Sequence, residues 1–144
     1  MYRASRIARY IIDYSCDQGK TVSNLRLQKV LYFVQAEFLV SKGEPCFAEE
    51  IRAWNLGPVV PGVYQEYKMY GSAPIPSNGT RGESYGIAPD DVELINDIVD
   101  QCNKYSTSRL VQLTHEQDPW ISAFNSHFNN IISNESIKRY FSEA

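Results

Sequence analysis

The sequence is poor in the residues that most often announce chemistry. It holds two histidines, His115 and His127, and three cysteines, Cys16, Cys46 and Cys102. The cysteines are far apart, with no Cys-x-x-Cys pair, so neither a zinc ribbon nor a disulfide framework is expected, and reduced thiols fit a cytoplasmic setting. Each reads as a small buried hydrophobe. A helical zinc-protease motif needs a second histidine one turn after His115, and that position is Pro119. No Gly-x-Ser-x-Gly elbow is present, and "SNGTRG" lacks the strand, helix and lysine of a phosphate loop. The sequence has no apolar run near the ~20 residues that span a bilayer and no signal-peptide core. There is no basic stripe either. The net charge is −3, which argues against a strongly electrostatic nucleic-acid binder. No metal and no cofactor is expected.

What remains is an ordinary globular composition with many aromatics. Of 144 residues 43% are hydrophobic and 22% charged, and ten are tyrosines. This length suits one domain with a core of its own. Tyrosine has an apolar body and a polar tip, which suits the edge of a core or a protein interface.

Apolar spacing predicts a mainly α fold, a single compact domain of about six helices. Ala4, Ile7, Ala8, Ile11, Ile12 and Cys16 mark a helix over 4–18, stopped by Gly19. A second runs over 23–42, capped by Ser23, stapled by Val22 and Leu27, and closed by Gly43. Its apolar stripe is Leu27, Leu31, Val34, Phe38 and Leu39. Residues 50–55 suit an extended piece, and Gly57-Pro58 a turn. Pro61 opens a helix to about Tyr70, with Val60, Tyr64 and Tyr67 on one face. Residues 72–86, "SAPIPSNGTRGESYG", form a long loop without apolar periodicity, expected to contribute little to the core. A short strand at 84–87 is expected to pair with 50–55 as a two-stranded ribbon. Pro89 opens another helix, with Asp90 and Asp91 at its positive end and Val92, Ile95, Ile98, Val99 and Cys102 inward. A shorter helix begins near Ser106, with Leu110, Val111 and Leu113 inward. The last is capped by Ser133, with Ile132, Ile137, Tyr140 and Phe141 packing inward.

The octet "LTHEQDPW" at 113–120 gathers a histidine, a hydroxyl and two carboxylates. It reads equally as a corner between two helices. His115 would close the first, at the negative end of its dipole. Asp118 would cap the second, with Pro119 at its first position and Trp120, Ile121, Phe124 and Phe128 as its stripe. A His115–His127 metal pair has no helical register to support it. Glu49 and Glu50, adjacent on a loop, read as solvated carboxylates. The two helices loosely suggest a helix-turn-helix, yet "PWISAFNSHFNN" has no Arg or Lys to meet phosphate. A DNA-binding regulator and a His115-dependent enzyme stay open as alternatives.

Three blocks carry a resemblance. The first is "LRLQKVLYFVQAEFLVSKGEPCF", with Leu27, Lys29, Leu31 and Tyr32 at its core and Val30 where leucine is usual. The second is "EEIRAWNLGPVVPGVYQEYKMYG", with Glu50, Ala53, Trp54, Gly57, Pro58, Val59, Val60 and Tyr64 in register. The third holds Thr114, His115, Pro119 and Trp120. In this order they resemble the Panacea antitoxin domain family, which includes SocA-like antitoxins and phage-associated GepA-type proteins. The resemblance implies a mainly helical antitoxin domain spanning 1–144. Its partner is then a toxin encoded by a neighbouring gene and neutralised by direct contact, with an ATP-dependent protease as a second partner in one branch. Some relatives carry fused DNA-binding or protease-like parts. An antitoxin needs no catalytic residues; with no spanning run no membrane is expected, and with no basic stripe nucleic acid is disfavoured as a partner, while the oligomeric state stays open. With that role, Tyr64, Tyr67, Tyr70, Pro76, Asn78, Arg81 and Tyr85, on the loop and the helix before it, are the expected toxin face. Trp54, His115 and Trp120 are expected to hold the helical corners together.

Overall fold

In the computed structural model, residues 1–79, 84–126 and 130–143 are described. Among them are seven α-helices and a three-stranded antiparallel sheet. The expected mainly α fold is what the chain adopts.

The second helix organises the molecule. α1 spans Ala4–Asp17 and α2 spans Asn24–Ser41. Ser23 caps α2 by accepting a hydrogen bond from the Arg26 N–H at 3.2 Å. The expected stripe is buried, but so are Val30, Tyr32, Gln28, Lys29 and Gln35. A helix buried on nearly every side must be wrapped by the rest of the domain. α2 packs against α1, α3, α4, α5, α7 and one strand of the sheet. Its polar residues therefore serve as internal fasteners. Gln35, for example, accepts from the Cys46 and Phe47 N–H groups and donates to the Phe47 carbonyl.

The sheet corrects the expected ribbon. β1 (Ile51–Trp54) pairs with β2 (Gly57–Val59), Trp54 opposite Gly57, and with β3 (Ile131–Ile132), Ile51 opposite Ile132. Ser84–Ile87 is instead a turn, closed by the Ile87 N–H on the Ser84 carbonyl. The reversal falls on Asn55-Leu56, not on Gly57-Pro58. Pro58 lies in β2, at the edge of the order β2-β1-β3, where a missing N–H breaks no ladder.

α3 (Pro61–Tyr67) runs into a 3₁₀ turn over Lys68–Tyr70, and Gly71 ends it with φ +56°. Val60, Val63 and Tyr67 are its buried residues and Tyr64 sits at the flank. The loop after it departs from expectation. Ile75 is 1% exposed, its N–H donates to the Val22 carbonyl at 2.9 Å, and Ile87 is buried as well. Two isolated isoleucines make no periodic pattern, yet they anchor the segment in the core. The rest of that loop, 80–83, lies outside the described residues, and so does Arg81.

α4 (Pro89–Cys102) and α5 (Thr107–His115) form as expected, α5 capped by Ser106 through the Arg109 N–H. Arg26 of α2 closes the α4 C-terminus by donating to the carbonyls of Cys102 (2.6 Å) and Tyr105 (3.0 Å). α6 (Asp118–Phe124) starts one residue earlier than expected. Gln117 is its cap position, Asp118 lies in the first turn and accepts from Ser122. Its buried residues are Pro119 and Ala123; Trp120 and Phe124 are half-buried and Ile121 is exposed. Phe128 and His127 fall outside the described residues. α7 (Asn134–Glu143) buries Ile137 and is capped by Ser133.

Candidate functional site

The three sequence blocks converge on one buried amine. Lys29, in α2, is 0% exposed, and its Nζ donates to the Pro58 carbonyl at 2.9 Å. Gly57 lies directly against it with φ +111°. A Cβ there would sit 2.7 Å from Lys29 Cε and 2.8 Å from Thr114 Oγ1. Thr114, also buried, donates to the Val111 carbonyl within α5 at 2.8 Å. Helix, hairpin and corner thus interlock through a lysine, a glycine and a threonine. Burial lowers the Lys29 pKa to about 7, because the charged form loses its water.

Flanking hydrogen bonds complete the joint. The Tyr32 hydroxyl donates to Gln117 Oε1 at 2.7 Å, and burial pushes its pKa upward. Gln28 accepts from the Val60 N–H at 2.9 Å and donates to Asn24, whose own amide donates to the Tyr64 carbonyl. Asn24, Gln28 and Tyr32 recur at four-residue spacing on α2, so in the sequence they resemble the solvent face of an amphipathic helix rather than a buried joint.

The hairpin and the α5–α6 corner are tied by Trp120, whose Nε1 donates to the Trp54 carbonyl at 2.9 Å. The His115 ring lies 4.2 Å from Trp120, and Phe124 stacks on the other side at 4.6 Å. His115 Nε2 is buried and finds no hydrogen-bond partner among the described residues. The imidazole is therefore packed in an aromatic stack. No group of three or more His, Cys, Asp or Glu placed to hold a metal occurs among the described residues. The two adjacent carboxylates have separate duties: Glu49 accepts from the Ala4 N–H at the start of α1, and Glu50 pairs with Arg52. Burial raises the Cys46 and Cys102 thiols to about 12, well away from reactive thiolates.

Outside this joint lies a groove of about 610 Å³. Trp54 and Tyr64, edge to face at 5.1 Å, line it together with Phe124, Asn130 and Lys68. Leu56, at the hairpin tip, also lines it and is 56% exposed.

The expected toxin-face residues divide into two groups. Tyr64 belongs to this groove. Tyr67, Pro76, Asn78 and Tyr85 instead gather around α1. Asp13 accepts from the Tyr85 hydroxyl and, at 3.0 Å, from the Asn78 N–H; Arg9 pairs with Asp13 and donates to the Pro76 carbonyl at 2.7 Å. Burial works to raise the Asp13 pKa, but these hydrogen bonds and the Arg9 charge outweigh it and hold the carboxyl below its ordinary value. Arg9 also lies over the Tyr67 ring, 5.9 Å from its centroid, and Tyr67 is only 4% exposed. Tyr70 stacks on Tyr67, centroids 6.5 Å apart. Sequence reading missed Arg9 and Asp13; a charged i,i+4 pair on a helix reads simply as a solvated salt bridge.

A family model described as "Antitoxin SocA-like, Panacea domain" matches residues 27–121, from the start of the α2 stripe to the α6 stack. Antitoxin SocA of Caulobacter vibrioides (strain NA1000 / CB15N) is 31% identical over 127 residues, covering 81% of this chain and 68% of that protein. No solved structure matches the chain.

Proposed function

This chain belongs to the SocA-like, Panacea-domain antitoxin family, and we propose that it neutralises a toxin encoded by a neighbouring gene by binding it directly. The observation that carries the direct-binding reading is the groove beneath Leu56. Its Trp54, Tyr64 and Phe124 walls are rigid aromatics braced by the interlocked joint below, and such anchors tend to dominate binding energy. Leu56 extends the apolar surface of this aromatic cleft, and a contiguous apolar patch, rather than a single exposed residue, is what marks an interaction site. The exposed residues Pro76 and Asn78 and the half-buried Tyr85, held by Arg9 and Asp13, form the second part of the toxin face.

In this reading the protein works in the cytoplasm as one domain over 1–144, without catalysis. Delivery of the bound toxin to an ATP-dependent protease is the finer mechanism, and a prophage origin fits the same assignment. No helix among the described residues is long and apolar enough to cross a membrane.

The test is co-expression of the adjacent-gene toxin with this protein. Toxin alone should arrest growth, the pair should grow, and the two should co-purify. Leu56→Asp and Tyr64→Ala should weaken both rescue and co-purification while the helical circular-dichroism signal persists. Rescue without a complex, and with toxin levels unchanged, would overturn direct neutralisation.

A further inference from the structure

A second groove, of about 330 Å³, opens between α2, α4, α5 and α7. Phe33 and Val40 of α2 line it together with Ile98, Tyr105, Leu113 and Phe141. Val40 is 42% and Tyr105 46% exposed, although both are apolar or aromatic. It uses Phe33, Ala36, Glu37 and Val40 of α2, whereas the hairpin groove uses Asn24, Leu25 and Gln28. At about 100° per residue the mean directions of these sets lie about a third of a turn apart, and the sets occupy opposite ends of α2. A partner seated under Leu56 therefore leaves this groove open.

Its charges are arranged in halves. Among the described residues Glu37 is the one charged residue in the lining. α4, beside it, carries no Lys or Arg and offers Asp97; its Asp91 is engaged by Lys42 and Tyr2, and its Asp100 accepts from Tyr14 of α1. On the other walls the charges next to the lining side chains are basic: Arg109 stands one turn before Leu113 in α5, and Lys138 one turn before Phe141 in α7, whose Glu135 and Glu143 lie more than a quarter-turn from Phe141. All three of Asp97, Arg109 and Lys138 are exposed.

We propose that this groove is the contact surface of a homodimer, in which a second copy of the chain docks about a two-fold axis. In such a contact one patch meets itself reversed, so residues of the acidic half must face residues of the basic half. An apolar lining with one acidic and one basic rim meets that requirement. Reversal brings Glu37 and Asp97 of one copy towards Arg109 and Lys138 of the other, while Val40, Tyr105 and Phe141 close over each other. A uniformly acidic or basic rim would repel its own copy. A stable contact needs about a tenth of a small protein's surface, ~800 Å² per partner, and the chain exposes 7565 Å².

Sedimentation of the full chain, without toxin, tests the inference. The expected mass is twice the chain's 16.4 kDa, falling towards one chain as salt rises, because exposed charge pairs are screened. Glu37→Lys should give monomers, and so should Arg109→Glu with Lys138→Glu. Combining all three changes with Asp97→Lys, which reverses both rims completely, should restore the dimer. Val40→Glu, which puts an acid in the apolar lining, should also give monomers, with the helical signal checked in every variant. A wild-type protein that stays monomeric at high micromolar concentration overturns the proposal. So does a dimer indifferent to all these changes, or a variant with both rims reversed that fails to pair.

Discussion

Lys29 Nζ donates to the carbonyl of Pro58 at 2.9 Å, from a side chain wholly removed from solvent. One hydrogen bond replaces the water shell of an amine, and its partner sits on the edge strand of the hairpin. The stability of the hairpin against α2 is thereby linked to pH.

In the folded state Lys29 titrates near 7, against 10.5 for the ordinary amine. Between these values the unfolded chain binds the extra proton, so stability from this group should rise as pH climbs from about 7 towards 10.5. Below 7 the full cost of burying the charge applies. Thermal melts between pH 6 and 9 should show this slope in the wild type and lose it in Lys29→Met. Equal slopes in the two proteins would mean that Lys29 is solvated.

Gly57→Ala should be among the most damaging single-methyl changes available. The new Cβ meets Lys29 and Thr114 below 3 Å, and φ +111° strains any L side chain. Overpacking and backbone strain together should cost about 2–4 kcal/mol, read from urea unfolding. A change under ~0.5 kcal/mol would show that the hairpin shifts freely.

Trp120 separates packing from hydrogen bonding. Trp120→Phe removes the bond to the Trp54 carbonyl and should cost ~1 kcal/mol. Trp120→Ala also removes the stack between His115 and Phe124. It should cost about 2–3 kcal/mol, less than the ~3–5 of a fully buried tryptophan, because Trp120 is half-exposed. His115→Gln should keep toxin rescue in proportion to its remaining stability. Complete loss of rescue in a fully stable His115→Gln protein would point to chemistry at the ring.

The loop after α3 should respond residue by residue. Ile75→Ala should cost ~2–4 kcal/mol, as for a buried aliphatic elsewhere. Pro76→Ala with Asn78→Ala should leave the melting temperature within a few degrees and reduce rescue, since both side chains point to solvent. Rescue unchanged by the pair would remove this loop from the toxin face.

Much of the molecule was legible in the sequence, for local reasons. The caps Ser23, Ser106 and Ser133 sit before apolar stretches, and the prolines at 61, 89 and 119 stand at helix starts, because these residues satisfy or tolerate the free N–H groups of a first turn. Helical periodicity follows from the chain alone, and so do the α1 and α4 faces. The partners of those faces do not. β1 pairs with Ile131–Ile132, nearly eighty residues away, because the tertiary fold brings them side by side; two isoleucines have no signature as a strand. Nor does spacing tell whether Lys29 lies outside the helix or inside it. Its burial is decided by how completely α1, α4, α5, α7 and the hairpin enclose α2. The same holds for Ile75, an isolated apolar residue in a polar loop that becomes core only because Val22 offers its carbonyl and Arg9 and Asp13 hold the segment down. Local sequence determined where helices begin and which residues repel water. Which buried polar groups meet was decided by the closing of the whole fold, since each needs a partner that only distant chain can supply.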